Sequence, residues 1–423
     1  MKPSVYIINC PPFWLKTPAL GPIYLKNYLN NNSINAEIID LSTELFKLFN
    51  LPKNVWLNLN EKFENNLFSL TKEKFPQTLN SLYQQIEKTD FIGFSILKRN
   101  WPFSSLLAEK ISQKFPDKKI IFGGPHTYFL AKENKLNKTN FWVIGEGEIS
   151  LLEIIKGKKQ KIYYFEELTE LDSLPFLDFG SPGLYSNCIP LISSRGCPHN
   201  CNFCSEKQLS KKFKYHSPIY MIEEIKYLLN KYKINNFVFC DSLINYNYKW
   251  LVEFCGLIIK NKLNIKWEAQ ARINKNITPE LAKLMRQSGC YNLFIGLESG
   301  SDKILKIMNK GFNISEALCF FQNLKSGGLN FEISLIFGYP QETEDDFQQT
   351  LKFIVANKKI IPKIAQANPF IDYLGNFPNT KFPTEQATQR INKFIKIIQK
   401  EKIRYTKNFI NNLIGGRPCV GPK

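Results

Sequence analysis

Ser193-Ser194-Arg195-Gly196-Cys197-Pro198-His199-Asn200-Cys201-Asn202-Phe203-Cys204 sets three cysteines in the spacing C-x3-C-x2-C. Three thiolates on one tight loop can each hold one iron of a four-iron cluster and leave the fourth iron without a protein ligand. An open coordination position is what separates a catalytic metal site from a structural one. A zinc knuckle is the competing reading, because His199 or His216 could complete a four-ligand set. Zinc usually takes two Cys pairs, or a Cys pair with a His pair, so the triplet favours iron and sulfur.

The segments around the loop alternate between short apolar runs and helical spacing. Strands are expected at 190–194, 236–241, 265–272, 292–298, 331–338 and 364–370. Six strands with helices between them fit a partial parallel barrel, a (β/α)6 arrangement. Parallel barrels carry functional loops at the C-terminal ends of their strands, and the cysteine loop follows the first of these strands. Strand period adds a second line of reading. In Trp267-Glu268-Ala269-Gln270-Ala271-Arg272, Glu268, Gln270 and Arg272 share one face while the apolar residues share the other. Gly296 and Glu298 share a face, as do Glu332 and Ser334, and Asp241 ends the second strand. Polar groups facing a barrel interior are costly unless they bind something, so their recurrence on successive strands predicts a polar-lined lumen. A glycine beside an acid, as at Gly296, would let a ligand approach closely.

These segments resemble one branch of the radical S-adenosylmethionine (SAM) enzymes, the branch with an N-terminal cobalamin-binding domain. The resemblance rests on the Cys197–Cys204 loop, Trp267 to Arg272, Gly289-Cys290, Gly296-Leu297-Glu298-Ser299-Gly300-Ser301, Lys310-Gly311 and Gly338-Tyr339-Pro340-Gln341-Glu342-Thr343. It implies a 4Fe-4S cluster on Cys197, Cys201 and Cys204, with SAM chelating the open iron. One electron then splits SAM into methionine and a 5′-deoxyadenosyl radical, the cofactors carrying the hard chemistry. By the same resemblance Phe203 lies against the adenine, and Gln270, Arg272 and Glu298 hold the carboxylate, amine or ribose of SAM; Asp241, inward-facing at its strand end, is a further candidate cofactor contact. A small-molecule substrate and a flavodoxin- or ferredoxin-type electron donor are also implied. Gln341 stands where the family usually has Gly, a change expected to alter a turn and not the chemistry.

Residues 1–165 read as a doubly wound parallel sheet, with strands at 4–10, 36–41, 91–96, 119–122 and 141–144 and a helical insertion at about 51–88. Residues 166–186 read as a linker, 187–380 as the radical SAM core, and 381–423 as a basic helical extension. Cobalamin domains usually carry D-x-H-x-x-G, S-x-L and G-G. Ser95-Ile96-Leu97 and Gly123-Gly124 match the second and third, at strand ends where open sheets bind ligands. The first is absent. Its histidine would be the lower ligand of cobalt, and the only histidine before the linker is His126. Three readings stay open: cobalamin held without that ligand, contact from His126, or a scaffold that binds none.

The 423 residues, 43% hydrophobic, suffice for two or three cores. No run approaches the ~18 apolar residues of a membrane helix, and 5–8 followed by prolines reads as a strand and not as a signal peptide. Ten cysteines without regular pairing point to a reducing cytoplasm. The formal charge of +19 would suit nucleic acid, but the lysines are scattered and not concentrated on one stripe, so a nucleic-acid partner is not expected. The leading expectation is cobalamin-dependent methyl transfer to a small molecule, with cyclisation or rearrangement open to the same scaffold. A tRNA methylthiotransferase would need a second cysteine triplet, yet Cys10 stands alone in the first 187 residues. A nucleic-acid-binding protein with a closed structural cluster would leave the inward polar faces without a purpose.

Overall fold

A computed structural model describes residues 4–13, 15, 17–57, 59–180, 188–377 and 384–406. The chain divides into two compact units, Met1–Ser186 with Gln208–Lys214, and Asn187–Lys207 with Tyr215–Lys423.

The first unit is built on six parallel strands: β1 (Val5–Ile8), β2 (Ala36–Ile39), β3 (Phe91–Ser95), β4 (Lys119–Gly123), β5 (Phe141–Ile144) and β6 (Ile162–Tyr164). Their order is β2-β1-β3-β4-β5-β6. The order reverses between β1 and β3, which is where an open α/β sheet offers a ligand crevice at its carboxyl edge. Alternate residues of each strand enter different cores. Phe122 and Trp142 join a cluster with Ile8 and Phe94, whereas Ile121, Phe141 and Val143 join Val5 and Ile7. Both faces of the sheet are therefore covered, as period-2 side-chain alternation requires.

The segment read as an insertion folds into helices Lys53–Leu57, Glu61–Lys74 and Pro76–Ile86. Trp56, Leu67, Phe68, Leu79 and Leu82 complete the first of these cores, so the segment is part of the fold and not an appendage. Arg99 fixes it to the loop after β3, donating from Nε to Glu64 Oε1 at 2.7 Å and from Nη1 to Leu57 O at 2.9 Å. The beginning of the segment read as a linker also packs. Leu171, Leu174 and Leu177 are buried, and Asp178 exchanges hydrogen bonds of 3.0 and 3.1 Å with the Asn27 side chain. Residues 181–187 lie outside the described residues.

Gln208–Lys214 is a short excursion that joins this unit from later in the chain. The Lys214 ammonium pairs with Glu146 at 2.7 Å and donates to Leu168 O at 2.9 Å, and Lys211 N donates to Glu167 at 2.8 Å.

The second unit holds β7 (Ile189–Leu191), β8 (Asn236–Phe239), β9 (Lys266–Ala271), β10 (Cys290–Glu298), β11 (Phe331–Phe337) and β12 (Ile364–Pro369). All neighbours are parallel, in the sequential order β12-β11-β10-β9-β8-β7. Sequential parallel strands linked by helices curl into the partial barrel expected. Local chemistry starts these helices cleanly. Ser217 and Thr278 cap helices Pro218–Tyr232 and Pro279–Gln287, each with proline at the first helical position. Asn313 with Glu316, and Thr343 with Asp346, form reciprocal capping boxes on Ile314–Ser326 and Glu344–Ala356.

The expected C-terminal extension contributes helix Glu385–Lys400, which is amphipathic and buries Ile391, Phe394 and Ile398. Its Arg390 is 3% exposed and pairs at 2.7 Å with Glu342, itself 1% exposed. Residues 378–383 and 407–423 lie outside the described residues.

Candidate functional site

The cysteine loop leaves the C-terminal end of β7, and its first turn is fixed by Asp241. That carboxylate accepts from Ser193 N at 3.0 Å, Ser193 Oγ at 2.7 Å and Ser194 Oγ at 2.6 Å. Asp241 is 1% exposed. Burial pushes its pKa up to about 6, against the pull of those hydrogen bonds. Both of its oxygens are engaged in aiming the loop.

The far side of the loop is stitched to the segment after helix Asp302–Ile307. Asn202 donates from its backbone to Met308 O at 3.0 Å and from its side chain to Ile307 O at 2.7 Å. Asn309 returns a 2.7 Å bond to Asn200 O. Between these anchors Cys197, Cys201 and Cys204 are partly exposed and in no disulfide. Burial raises the Cys197 thiol pKa, opposed by the backbone at His199 and the Arg272 charge. Among the described residues no three Cys, His, Asp or Glu side chains converge as ligands of a single ion. A triplet that gives one sulfur to each of three irons does not need such convergence. His216, one candidate for completing a zinc set, is buried with its ring stacked on Tyr220, centroids 4.2 Å apart. Soft thiolates with a cationic flank fit an iron–sulfur cluster.

Arg272, just past β9, lies against this loop. Its Nη1 donates to Cys201 Sγ at 3.0 Å and its Nη2 to the Lys310 carbonyl. Lys310 is buried, with its ammonium 3.2 Å from Glu298 Oε1, while Ser334 Oγ donates to Glu298 Oε2 at 3.2 Å. Glu298 holds a left-handed backbone, φ 70°, a conformation a non-glycine residue keeps only where its surroundings enforce it. The space over Gly296, expected to admit a ligand, is taken by Glu298 itself: a Cβ there would lie 2.2 Å from Glu298 Oε1. Phe203 packs against a cluster of Ile304, Met308, Tyr339 and Phe370, and the Lys310 ammonium sits 5.7 Å from its ring centre.

The other lumen residues divide. Trp267 packs outward against Phe239 and Phe254, which confirms the period-2 reading of β9. Gln270 is half-buried, and among the described residues its amide has no hydrogen-bond partner. Glu268 instead meets the Tyr291 hydroxyl, and Glu332 pairs at 2.7 Å with the half-exposed Lys363. Sequence reasoning passed over the pair Gln366 and Asn368 on β12, bonded to each other at 3.0 Å, with Gln366 in register with Ser334. It also passed over Asn245, whose amide exchanges bonds of 2.9 and 2.7 Å with the Arg272 backbone. No sequence signal marks Asn245; strict alternation along β12 could have marked the other two.

In the first unit Ser95, Gly123, Gly124 and His126 all lie at the carboxyl ends of β3 and β4. Ile96 N donates to Gly123 O at 2.8 Å and His126 N to Ile96 O at 3.2 Å, so the S-x-L and G-G segments touch. Gly124 has φ 98°, and a Cβ there would lie 2.8 Å from Ile96 O. The buried Asn100 ties this edge to the end of β1, donating to Ser95 O at 3.2 Å and Cys10 O at 3.3 Å. His126 lies beside Trp101 and Phe129; burial lowers its pKa to about 4, which keeps the imidazole neutral.

Residues 191–354 match the radical SAM superfamily. The chain is 31% identical over 272 residues to a bacteriochlorophyllide d C-12(1)-methyltransferase of Chlorobaculum tepidum, covering 61% of this chain and 59% of that one. It is 29% identical over 264 residues to an uncharacterized methyltransferase of Pyrococcus horikoshii, covering 55% and 57%. In fold it is similar to the cobalamin-dependent SAM radical enzyme OxsB, solved with aqua-cobalamin and SAM bound, at TM-score 0.68 and 16% identity. That match spans 94% of this chain and 56% of the other. The family match takes in the cysteine loop and strands β8 to β11, and the fold similarity spans both units. The matches span less than two thirds of the length of these relatives.

Proposed function

We propose that this chain is a cobalamin-dependent radical SAM enzyme that transfers a methyl group to a small molecule, or cyclises or rearranges one. The observation that carries this reading is the meeting of the three-cysteine loop with Arg272 and the Lys310–Glu298–Ser334 network at the carboxyl ends of parallel strands. Cys197, Cys201 and Cys204 would hold a 4Fe-4S cluster, which supplies the electron for reductive SAM cleavage to a 5′-deoxyadenosyl radical.

The chain's own residues bind and orient. Phe203 offers a ring face for the adenine. The Gln270 amide and the pre-positioned Glu298 carboxylate offer hydrogen bonds to polar groups of SAM. Arg272 and Lys310 make the pocket cationic, which suits a carboxylate. Ser95, Gly123, Gly124 and His126 mark the edge where cobalamin would sit, without a lower ligand from the usual motif; cobalamin would supply the transferable methyl group. The Gln366–Asn368 pair extends the polar lining toward the substrate. A net charge of +19 favours an acidic electron donor of flavodoxin or ferredoxin type, and both the donor and cysteines in no disulfide suit a reducing cytoplasm. Among the described residues no helix is long and apolar enough to cross a membrane.

The test is iron and cobalt per chain, by elemental mass spectrometry on protein purified without oxygen from cobalamin-fed cells, with 5′-deoxyadenosine assayed after reduction. About four irons with near-equimolar cobalt and 5′-deoxyadenosine support the proposal. Iron without cobalt removes methyl transfer and keeps radical cleavage. Zinc, or no iron after reconstitution, overturns it.

A further inference from the structure

We infer that Arg272 is a redox-positioning residue, whose hydrogen bond to the Cys201 sulfur raises the reduction potential of the cluster. The inference rests on the proposed cluster and assigns a role to one residue beside it.

Four contacts fix Arg272. Asn245 holds its backbone on both sides, at 2.9 Å to N and 2.7 Å from O. Nη2 is spent on the Lys310 carbonyl, and the guanidinium lies 6.0 Å from the Phe312 ring centre. Only then does Nη1 reach Cys201 Sγ, at 3.0 Å, inside the range of a hydrogen bond to sulfur. The arrangement is rigid, so the donor stays aimed at the sulfur without reorganisation when the charge changes.

Its charge is also unspent. Lys310, the other cation here, is paired with Glu298, whereas Arg272 meets no carboxylate among the described residues. A guanidinium remains charged at every accessible pH. Reduction adds one electron to a cluster whose thiolates share it, so a positive hydrogen-bond donor on one thiolate favours the reduced state. Hydrogen bonds to cluster sulfurs are among the factors that set these potentials.

The experiment uses the full chain, its cluster reconstituted without oxygen and without SAM, as wild type, Arg272→Lys and Arg272→Gln. Iron is counted first, and the midpoint is then read by EPR during a redox titration. Arg272→Gln is expected to lower the reduced-to-oxidised ratio at fixed potential by about tenfold, a midpoint shift of about 59 mV for one electron. Arg272→Lys, which keeps the charge without the fixed fork, is expected to fall between. Equal midpoints in wild type and Arg272→Gln, at equal iron content, overturn the inference. So does loss of iron from both variants, which would make Arg272 a loop anchor only. If wild type itself binds no iron, the proposed function falls as well, so the two failures are distinct.

Discussion

The paired glycines after β4 allow a test that separates folding from cofactor binding. Gly124→Ala and Gly123→Ala place the same methyl group one residue apart. At Gly124 the backbone has φ 98°, and the new Cβ would stand 2.8 Å from Ile96 O and 2.9 Å from Ile96 N. Holding a side chain in that region costs about 1–3 kcal/mol. Neither obstructing atom belongs to a side chain that can swing away, and forced overpacking adds about 1–3 kcal/mol. A loss of about 3 kcal/mol is therefore expected for Gly124→Ala in protein free of cofactor. At Gly123 φ is not positive, and the nearest atom to a new Cβ is Val143 Cβ at 3.9 Å, an ordinary contact. There the methyl is expected to leave stability unchanged or raise it by up to about 1 kcal/mol.

The assay is urea unfolding of the cofactor-free protein, followed by retention of added cobalamin on gel filtration. For roughly 150–250 residues the Gly124 loss corresponds to about 6–12 °C in Tm. If the first unit binds cobalamin at this edge, Gly123→Ala keeps its stability and loses retention. A Gly124→Ala protein within about 0.5 kcal/mol of wild type would refute the packing account of the G-G segment.

Other consequences are open to measurement. Arg390→Met leaves the Glu342 carboxylate buried without its partner and is expected to cost about 3–5 kcal/mol in urea unfolding, with the Arg390→Met/Glu342→Met double variant recovering most of it; a loss below about 1 kcal/mol would show that the pair is dispensable. Asp241 has a raised folded pKa, so the folded state binds its proton more readily than the unfolded chain does. Its contribution to stability is complete below about pH 4 and is lost as pH rises through about 6, some 3 kcal/mol in all. The stability difference between wild type and Asp241→Asn should change with that sign across the window and stay flat above it. Glu298→Gln weakens the pairing with Lys310 and should reduce SAM affinity by about tenfold in equilibrium dialysis, the scale of one charged hydrogen bond; unchanged affinity would place SAM elsewhere. Cys201→Ala should lower reconstituted iron below about four per chain, and full retention would exclude that thiol as a ligand.

How much of this was legible in the sequence depends on the range of the interactions involved. The strand runs were legible because alternation is local: 141–144 was read to the residue, and the others were displaced at one or both ends by one to three positions. β6 was not, because Ile162–Tyr164 is three residues long and follows the charged run Lys158-Lys159-Gln160-Lys161. The cysteine loop and the inward face of β9 were likewise written in spacing. What spacing could not supply was partnership. Asp241 and Glu298 both end strands and look alike in sequence. One is bound by Ser193 and Ser194, the other by Lys310 and Ser334. Asn245 reaches Arg272 across 27 positions, a distance at which no periodicity operates. The Gln341 departure has a plain physical reading. Its φ is not positive, so the turn after Gly338 has no need of glycine there.

The excursion Gln208–Lys214 bears on how freely the two halves could be recombined. It follows Cys204 by four residues, yet it supplies the ammonium that neutralises Glu146, a carboxylate 8% exposed near the end of β5. A fragment cut at residue 186 would lack that cation, and burying the Glu146 carboxylate without it would cost stability. The first unit is thus not a cassette that can be excised or exchanged by a single crossover. Its last piece is encoded downstream of the metal loop, so any graft of one half must take the segment through Lys214 with it.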